Sequence, residues 1–289
     1  MKLKRFLGLI AASSLGVGFL TPPPPANAQM AACPDPSTLT SLANPGDATS
    51  FFNVTGGSCS GTPDEYGVTV YKMGLCVNDP TPAAGSAADY STCSLSFEDT
   101  SGSAASFAAG GSVALPASLA TRPDDGTYGY AMILISTTFD IKATYGPLAG
   151  NTYYSTPSSV GSTGTPDTVG PASVNPVPTN SFNPSVSCDS QDTVSGSSGP
   201  MTGTLLNSSE ERIPDSTAVT SCAGATYILG VVNLTSPVTI DETVTALDAT
   251  FTVTNNGTTV ALNNPPGGGA PTGVIFDSGP FDVILSVVR

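Results

Sequence analysis

Apolar residues recur at every second position through much of this chain. That period selects strand over helix, because successive side chains of an extended backbone face opposite sides. In residues 66–77, Val68 and Val70 flank the polar Thr69, and a mixed apolar run follows. After a loop carrying Pro80 and Pro82, Cys93, Leu95 and Phe97 alternate with Ser94 and Ser96 as the next strand. The longest signal covers residues 127–145. There Tyr128, Tyr130, Met132 and Leu134 share one face, and Phe139, Ile141, Ala143 and Tyr145 share one. The pattern leaves open whether this is one bent strand or a hairpin about residues 136–138.

The second half repeats the theme. Residues 227–234 read as a buried strand, and Val238, Ile240, Leu247, Ala249, Phe251 and Val253 keep the period of two. Asn255, Asn256 and Gly257 supply a tight turn into residues 258–262, because Asn and Gly tolerate positive φ. Two short strands fit residues 273–276 and 281–288, with a Pro- and Gly-rich loop at 263–271 ahead of them. Helix is nearly absent: residues 86–88 and 103–109 are rich in alanine but too short to nucleate one. Many short strands with turn signals between them predict an all-β fold of sandwich or barrel type.

Composition divides the chain. Residues 1–28 read as a secretory signal peptide: Lys2, Lys4 and Arg5 precede an apolar stretch, and Ala26, Asn27 and Ala28 form a small-residue cleavage site, leaving Gln29 first. From residue 155 the chain turns to Ser, Thr, Gly and Pro, including Pro157, Pro166, Pro171, Pro176, Pro178 and Pro184. So few large apolar side chains offer little burial against ordering entropy. The expected organisation is an N-terminal β domain at 29–154, a low-complexity linker at 155–187 and a C-terminal β domain at 188–289. The six cysteines lie beyond the signal, as an exported chain in an oxidising compartment would have them. Short-range closure suggests the pairs Cys33 with Cys59, Cys76 with Cys93, and Cys188 with Cys222, which would staple each module.

Charge and missing residue types narrow the chemistry. The formal charge is −14, and cleavage would leave only Lys72, Arg122, Lys142, Arg212 and Arg289 as cations. That balance argues against nucleic acid and anionic lipid as partners. The chain has no histidine, which removes His-dependent hydrolase triads and His metal sites. Adjacent carboxylates occur at Asp64 and Glu65, Glu98 and Asp99, Asp124 and Asp125, Glu210 and Glu211, and Asp241 and Glu242, but neighbours on a strand face opposite ways. With no tryptophan and no nucleophile–base constellation, no enzyme is expected. Oxygen-only calcium ligation needs no histidine, and Asp124, Asp125, Asp189 and Asp192 are the weak candidates for it. The plainer reading makes each a turn residue bonded to its own backbone. Gly267, Gly268 and Gly269 lack the tail of a phosphate loop, and no cofactor is expected.

What remains is an exported cell-surface or extracellular structural or interaction protein, secreted or, alternatively, periplasmic. With no apolar stretch long enough to span after the signal, no transmembrane segment is expected. Its partner would be protein, a second copy included, taken by edge-strand pairing through residues 29–43 or 281–288. For the latter, an ordinary closing strand is the competing reading. A β-sandwich module binding carbohydrate or calcium through its loops is the alternative, with a glycan as partner.

Overall fold

The computed structural model describes residues 30–44, 46–108, 115–157, 162–166, 172–182, 187–219, 221–263 and 272–289. The signal, its cleavage motif, Gln29 and the glycine run at 267–269 lie outside the described residues. The fold is nearly all β. Its strands are β1 Ser58–Gly61, β2 Glu65–Cys76, β3 Cys93–Phe107, β4 Gly126–Ser136, β5 Thr138–Lys142, β6 Thr144–Leu148, β7 Asn151–Tyr154 and β8 Ser162–Pro166. They continue with β9 Asn175–Pro178, β10 Gln191–Val194, β11 Met201–Leu206, β12 Tyr227–Ile240, β13 Ala246–Thr252, β14 Thr258–Asn263, β15 Gly273–Ser278 and β16 Asp282–Val288. One short helix, α1 Phe51–Thr55, is capped by the Ser50 hydroxyl at its start and by Gly56 in the left-handed conformation at its end. The period-two reading has no signal for so short a helix. Residues 103–107 of the alanine-rich segment are strand, the end of β3.

The larger sheet runs β10, β11, β12, β4, β2, with β3 on the far side of β2. β5 and β9 extend it. Both β4 and β5 lie along the same edge of β2, with Val70 opposite Ile135 and Tyr66 opposite Ile141. Residues 126–142 therefore form one bent strand, which decides between the two readings of that segment. Ala143, 1% exposed, then carries the chain into β6 of the second sheet, whose order is β1, β14, β15, β8, β7, β6.

The two sheets close on a common core. Val68, Val70, Ile133, Ile135, Phe139 and Ile141 of the first meet Val260, Leu262, Val274 and Phe276 of the second. The antiparallel pair of β13 and β16 extends this layer, laying Val283 with Leu247, Phe251 and Val287 over Leu75, Ala131, Met201 and Val232. The opposite face of the first sheet is covered as well. Met132, Leu134, Leu229 and Val231 lie there with Tyr90 of the 77–92 loop. That loop is tied to residues 210–212 by backbone bonds from Gly85, Ala88 and Arg212, and by the Lys72–Glu210 ion pair beside it. A central strand covered on both sides has no polar face, which is why all of residues 131–135 are buried.

Two separate modules are not confirmed by this topology. β12 pairs with β4 over Tyr227 to Asn233 and again from Val238 to Ile240, and β14 pairs with β1. β9, inside the Ser/Thr/Pro/Gly-rich segment, pairs with β5. The physical reason is that alternation marks a strand but not its neighbour, and closing a long loop costs only slightly more than closing a short one. The three disulfides join Cys33 to Cys59, Cys76 to Cys93 and Cys188 to Cys222.

Candidate functional site

Several of the carboxylates singled out in the sequence are engaged by neighbouring side chains or amides. Asp64 accepts from the Thr144 hydroxyl at 2.7 Å, Glu65 from Ser106 at 2.5 Å, and Asp99 from Ser103 at 2.6 Å. Glu210 pairs with Lys72 at 2.6 Å, and Asp241 accepts from the Thr243 amide at 2.9 Å. The calcium candidates occupy two places. Asp125 pairs with Arg122 at 2.5 Å, and Asp124 donates its amide to Ser94 and accepts the Tyr128 hydroxyl at its carbonyl. Asp192 accepts from the Thr193 amide at 2.8 Å, and Asp189 donates its own amide to the Ser181 hydroxyl at 3.0 Å. The first pair precedes β4 and the second adjoins β10, with β11 and β12 between them. Among the described residues no three of His, Cys, Asp and Glu come together as a metal could require.

The two proposed arms fare differently. Within residues 29–43, Gln29 lies outside the described residues, while Ala31 and Cys33 exchange backbone bonds with Ser60 and Cys33 is covalently held to Cys59. This segment closes the edge of the second sheet. Residues 282–288 form β16, which pairs with β13 over seven positions, the ordinary closing strand that competed with the arm reading.

The outer edges of the sheets differ in protection. β9 carries Pro176 and Pro178, which remove donors, and at β10 the Asp192 side chain takes up the Thr193 amide. β3 is met by Ala120 and Thr121 near Phe97 and Ser96, and the chain beside β6 bonds Ala149 to Leu39. The β13–β16 pair stands as a two-stranded sheet, and among the described residues no strand pairs with its outer edges. From Val283 to Val288 it reads Val-Ile-Leu-Ser-Val-Val, without charge, Pro or Gly, and Ile284 and Val288 are 44% and 38% exposed. Such a run is what an open edge needs in order to recruit another strand.

Sequence reasoning missed a cleft at one end of the second sheet, because its walls come from segments far apart in the chain. It encloses about 240 Å³ and is lined by Pro34, Asp35, Thr62, Thr144, Tyr145 and Asn255 among others. The Tyr145 hydroxyl donates to the Pro34 carbonyl at 3.1 Å, and the Asn255 amide donates to Thr62 at 2.8 Å. Two hydrogen bonds from Ser37, hydroxyl and amide, hold the Asp35 carboxyl below its ordinary range.

No family model matches the chain, and no curated protein or solved structure matches it. Among the described residues no helix is long and apolar enough to cross a membrane. The three disulfides are compatible with an extracellular location.

Proposed function

We propose that this protein is an exported extracellular or cell-surface structural subunit that associates with other protein chains by strand pairing at the β13–β16 ribbon. The observation that carries the reading is the outer edge of β16 from Val283 to Val288, an uncharged β-prone run in a sheet that has two strands among the described residues; the Asp282 carboxylate caps only its start, taking up the Val283 and Ser197 amides, whereas β9 carries proline and β3 and β6 are met by neighbouring chain. An extended partner segment gains main-chain hydrogen bonds there at little conformational cost to this chain, since β13 already holds β16 straight. The acidic surface sets a counterweight, so association is favoured when salt screens the repulsion between copies. The test is light scattering and negative-stain electron microscopy on the oxidised protein starting at Gln29, with calcium and with chelator. Filaments, sheets or a regular oligomer support the reading, and a persistent monomer under both conditions refutes self-assembly.

A second reading, a glycan-binding module, draws on the end cleft, whose hydroxyl, amide and carboxylate groups at Thr62, Asn255 and Asp35 suit a polyhydroxylated ligand. Glycan-array binding lost in Asp35→Ala and Asn255→Ala would favour it.

A further inference from the structure

Four of the nine tyrosines gather on one face of the larger sheet, where Tyr71, Tyr90, Tyr130 and Tyr227 pack against the Met132, Leu134 and Leu229 cluster. Within this group the rings of Tyr71 on β2 and Tyr227 on β12 are 4.9 Å apart between centroids and meet edge to face at 74°. Both side chains are only partly buried, so the pair is accessible from solvent. The Tyr71 ring is also fixed from behind. A Cβ placed on Gly102, whose φ is +80°, would lie 2.5 Å from Thr69 Cγ2 and 2.8 Å from Tyr71 Cε1, so the ring rests directly on the Gly102 backbone. The two strands do not adjoin, because β4 runs between them, and nothing covalent links them.

The rest of the chain concentrates one-electron oxidation on tyrosine. There is no tryptophan, no histidine, and among the described residues every cysteine is in a disulfide. A ring pair held in contact turns radical coupling from an encounter between separate rings into an intramolecular step.

We propose that Tyr71 and Tyr227 form an oxidative cross-linking site, at which a carbon–carbon bond between ring carbons ortho to the two phenol oxygens joins β2 to β12. Each phenol gives up one electron and its hydroxyl proton to become a phenoxyl radical. The radicals couple at the ortho carbons, and the hydrogens on those carbons move to the oxygens, restoring two phenols. The net change is the loss of two electrons and two protons. Hydrogen peroxide acting through a peroxidase takes them and leaves as two waters. The protons leave the rings through solvent, which both rings reach, and are consumed in forming the two waters. Burial, the neighbouring Tyr227 and the Asp99 carboxylate raise the Tyr71 pKa, which keeps the phenol in its protonated form at physiological pH.

The test is visible-light oxidation of the folded, disulfide-intact protein by a ruthenium tris-bipyridyl complex with persulfate, which accepts the two electrons and leaves as two sulfates. Dityrosine fluorescence and peptide mapping by mass spectrometry are the readouts, at protein concentrations low enough that intermolecular products are minor. The expected result is one dominant intramolecular product, the Tyr71 peptide joined to the Tyr227 peptide with the loss of two hydrogens. It vanishes in Tyr71→Phe and in Tyr227→Phe and persists in Tyr130→Phe and Tyr154→Phe. If a Phe variant fails to fold, the peptide map of the unaltered protein still decides the matter. Cross-links distributed as in the reduced, urea-unfolded chain, or a folded-state product that bypasses this pair, would overturn the proposal.

Discussion

A chain cut after Tyr154 removes every strand from β8 onward while keeping the Cys33–Cys59 and Cys76–Cys93 bridges intact, so it isolates strand pairing from disulfide chemistry. In the intact protein β4 is covered along one edge by β12, whose Ile228, Leu229, Val231, Val232, Leu234 and Ile240 are each less than a tenth exposed. Burying a side chain of this size is worth about 2 kcal/mol, so these six contribute about 12 kcal/mol as an upper estimate. Val260, Leu262, Val274 and Phe276, which close the core between the sheets, are lost with them. A domain's entire stability is about 5–15 kcal/mol. The truncated chain is therefore expected not to fold: it should lack near-ultraviolet circular dichroism, bind a hydrophobic dye and melt without a sigmoidal transition. A cooperative melt with a dispersed amide spectrum from residues 30–154 alone would refute the reasoning and show an independent N-terminal module.

Replacing both Cys188 and Cys222 by serine reopens a loop of 34 residues, and the chain-entropy relation gives a loss of about 4 kcal/mol, read from urea denaturation; an unchanged midpoint would contradict it. Burial holds the phenol of Tyr66 far above its usual pKa and, with the Asp35 charge adding to it, that of Tyr145 as well. Below pH of about 10 both folded and unfolded chains keep these protons; above it the unfolded chain releases them first, so stability falls as pH rises. Denaturation midpoints taken from pH 8 to 11 should drop accordingly, and a flat profile would count against buried phenols. Gly199 sits where a Cβ would lie 1.9 Å from the Asn233 carbonyl oxygen, at the irregularity in the β12 ladder, so Gly199→Ala should cost about 1–3 kcal/mol in a thermal melt, and an unaltered melt would show that this contact is absent.

Local chemistry was readable in the chain where it depends on neighbours in sequence. Val68 and Val70, Leu95 and Phe97, and Phe139 and Ile141 announce strands through their period, and cysteines separated by 17 to 34 residues pair in sequence order because each spans a single excursion of the chain. Partnership was not readable. Nothing in residues 227–240 says that they lie beside residues 126–136, since both are apolar on two faces and such strands fit many positions in a sheet. Asn175–Pro178 reads as low complexity, yet it pairs with β5 as a strand, and its prolines suit it to an edge, where donors are not required. The turn at Asn255 is present, with φ of 60°, but it passes the chain from the β13–β16 pair to the second sheet instead of pairing β13 with β14. The tyrosine pair escaped notice for the same reason as the cleft, because its members lie 156 positions apart and meet only across an intervening strand.

The most direct measurement of the functional account compares the oxidised protein with Ile284→Lys and Val288→Lys, two exposed positions on β16 at which an added charge opposes pairing without disturbing the inner face. Sedimentation velocity and electron microscopy should show the unaltered protein associating in a salt-promoted manner and both variants remaining monomeric with unchanged melting temperatures. An unaltered protein that stays monomeric, or variants that associate as readily as the parent, would contradict assembly through this edge.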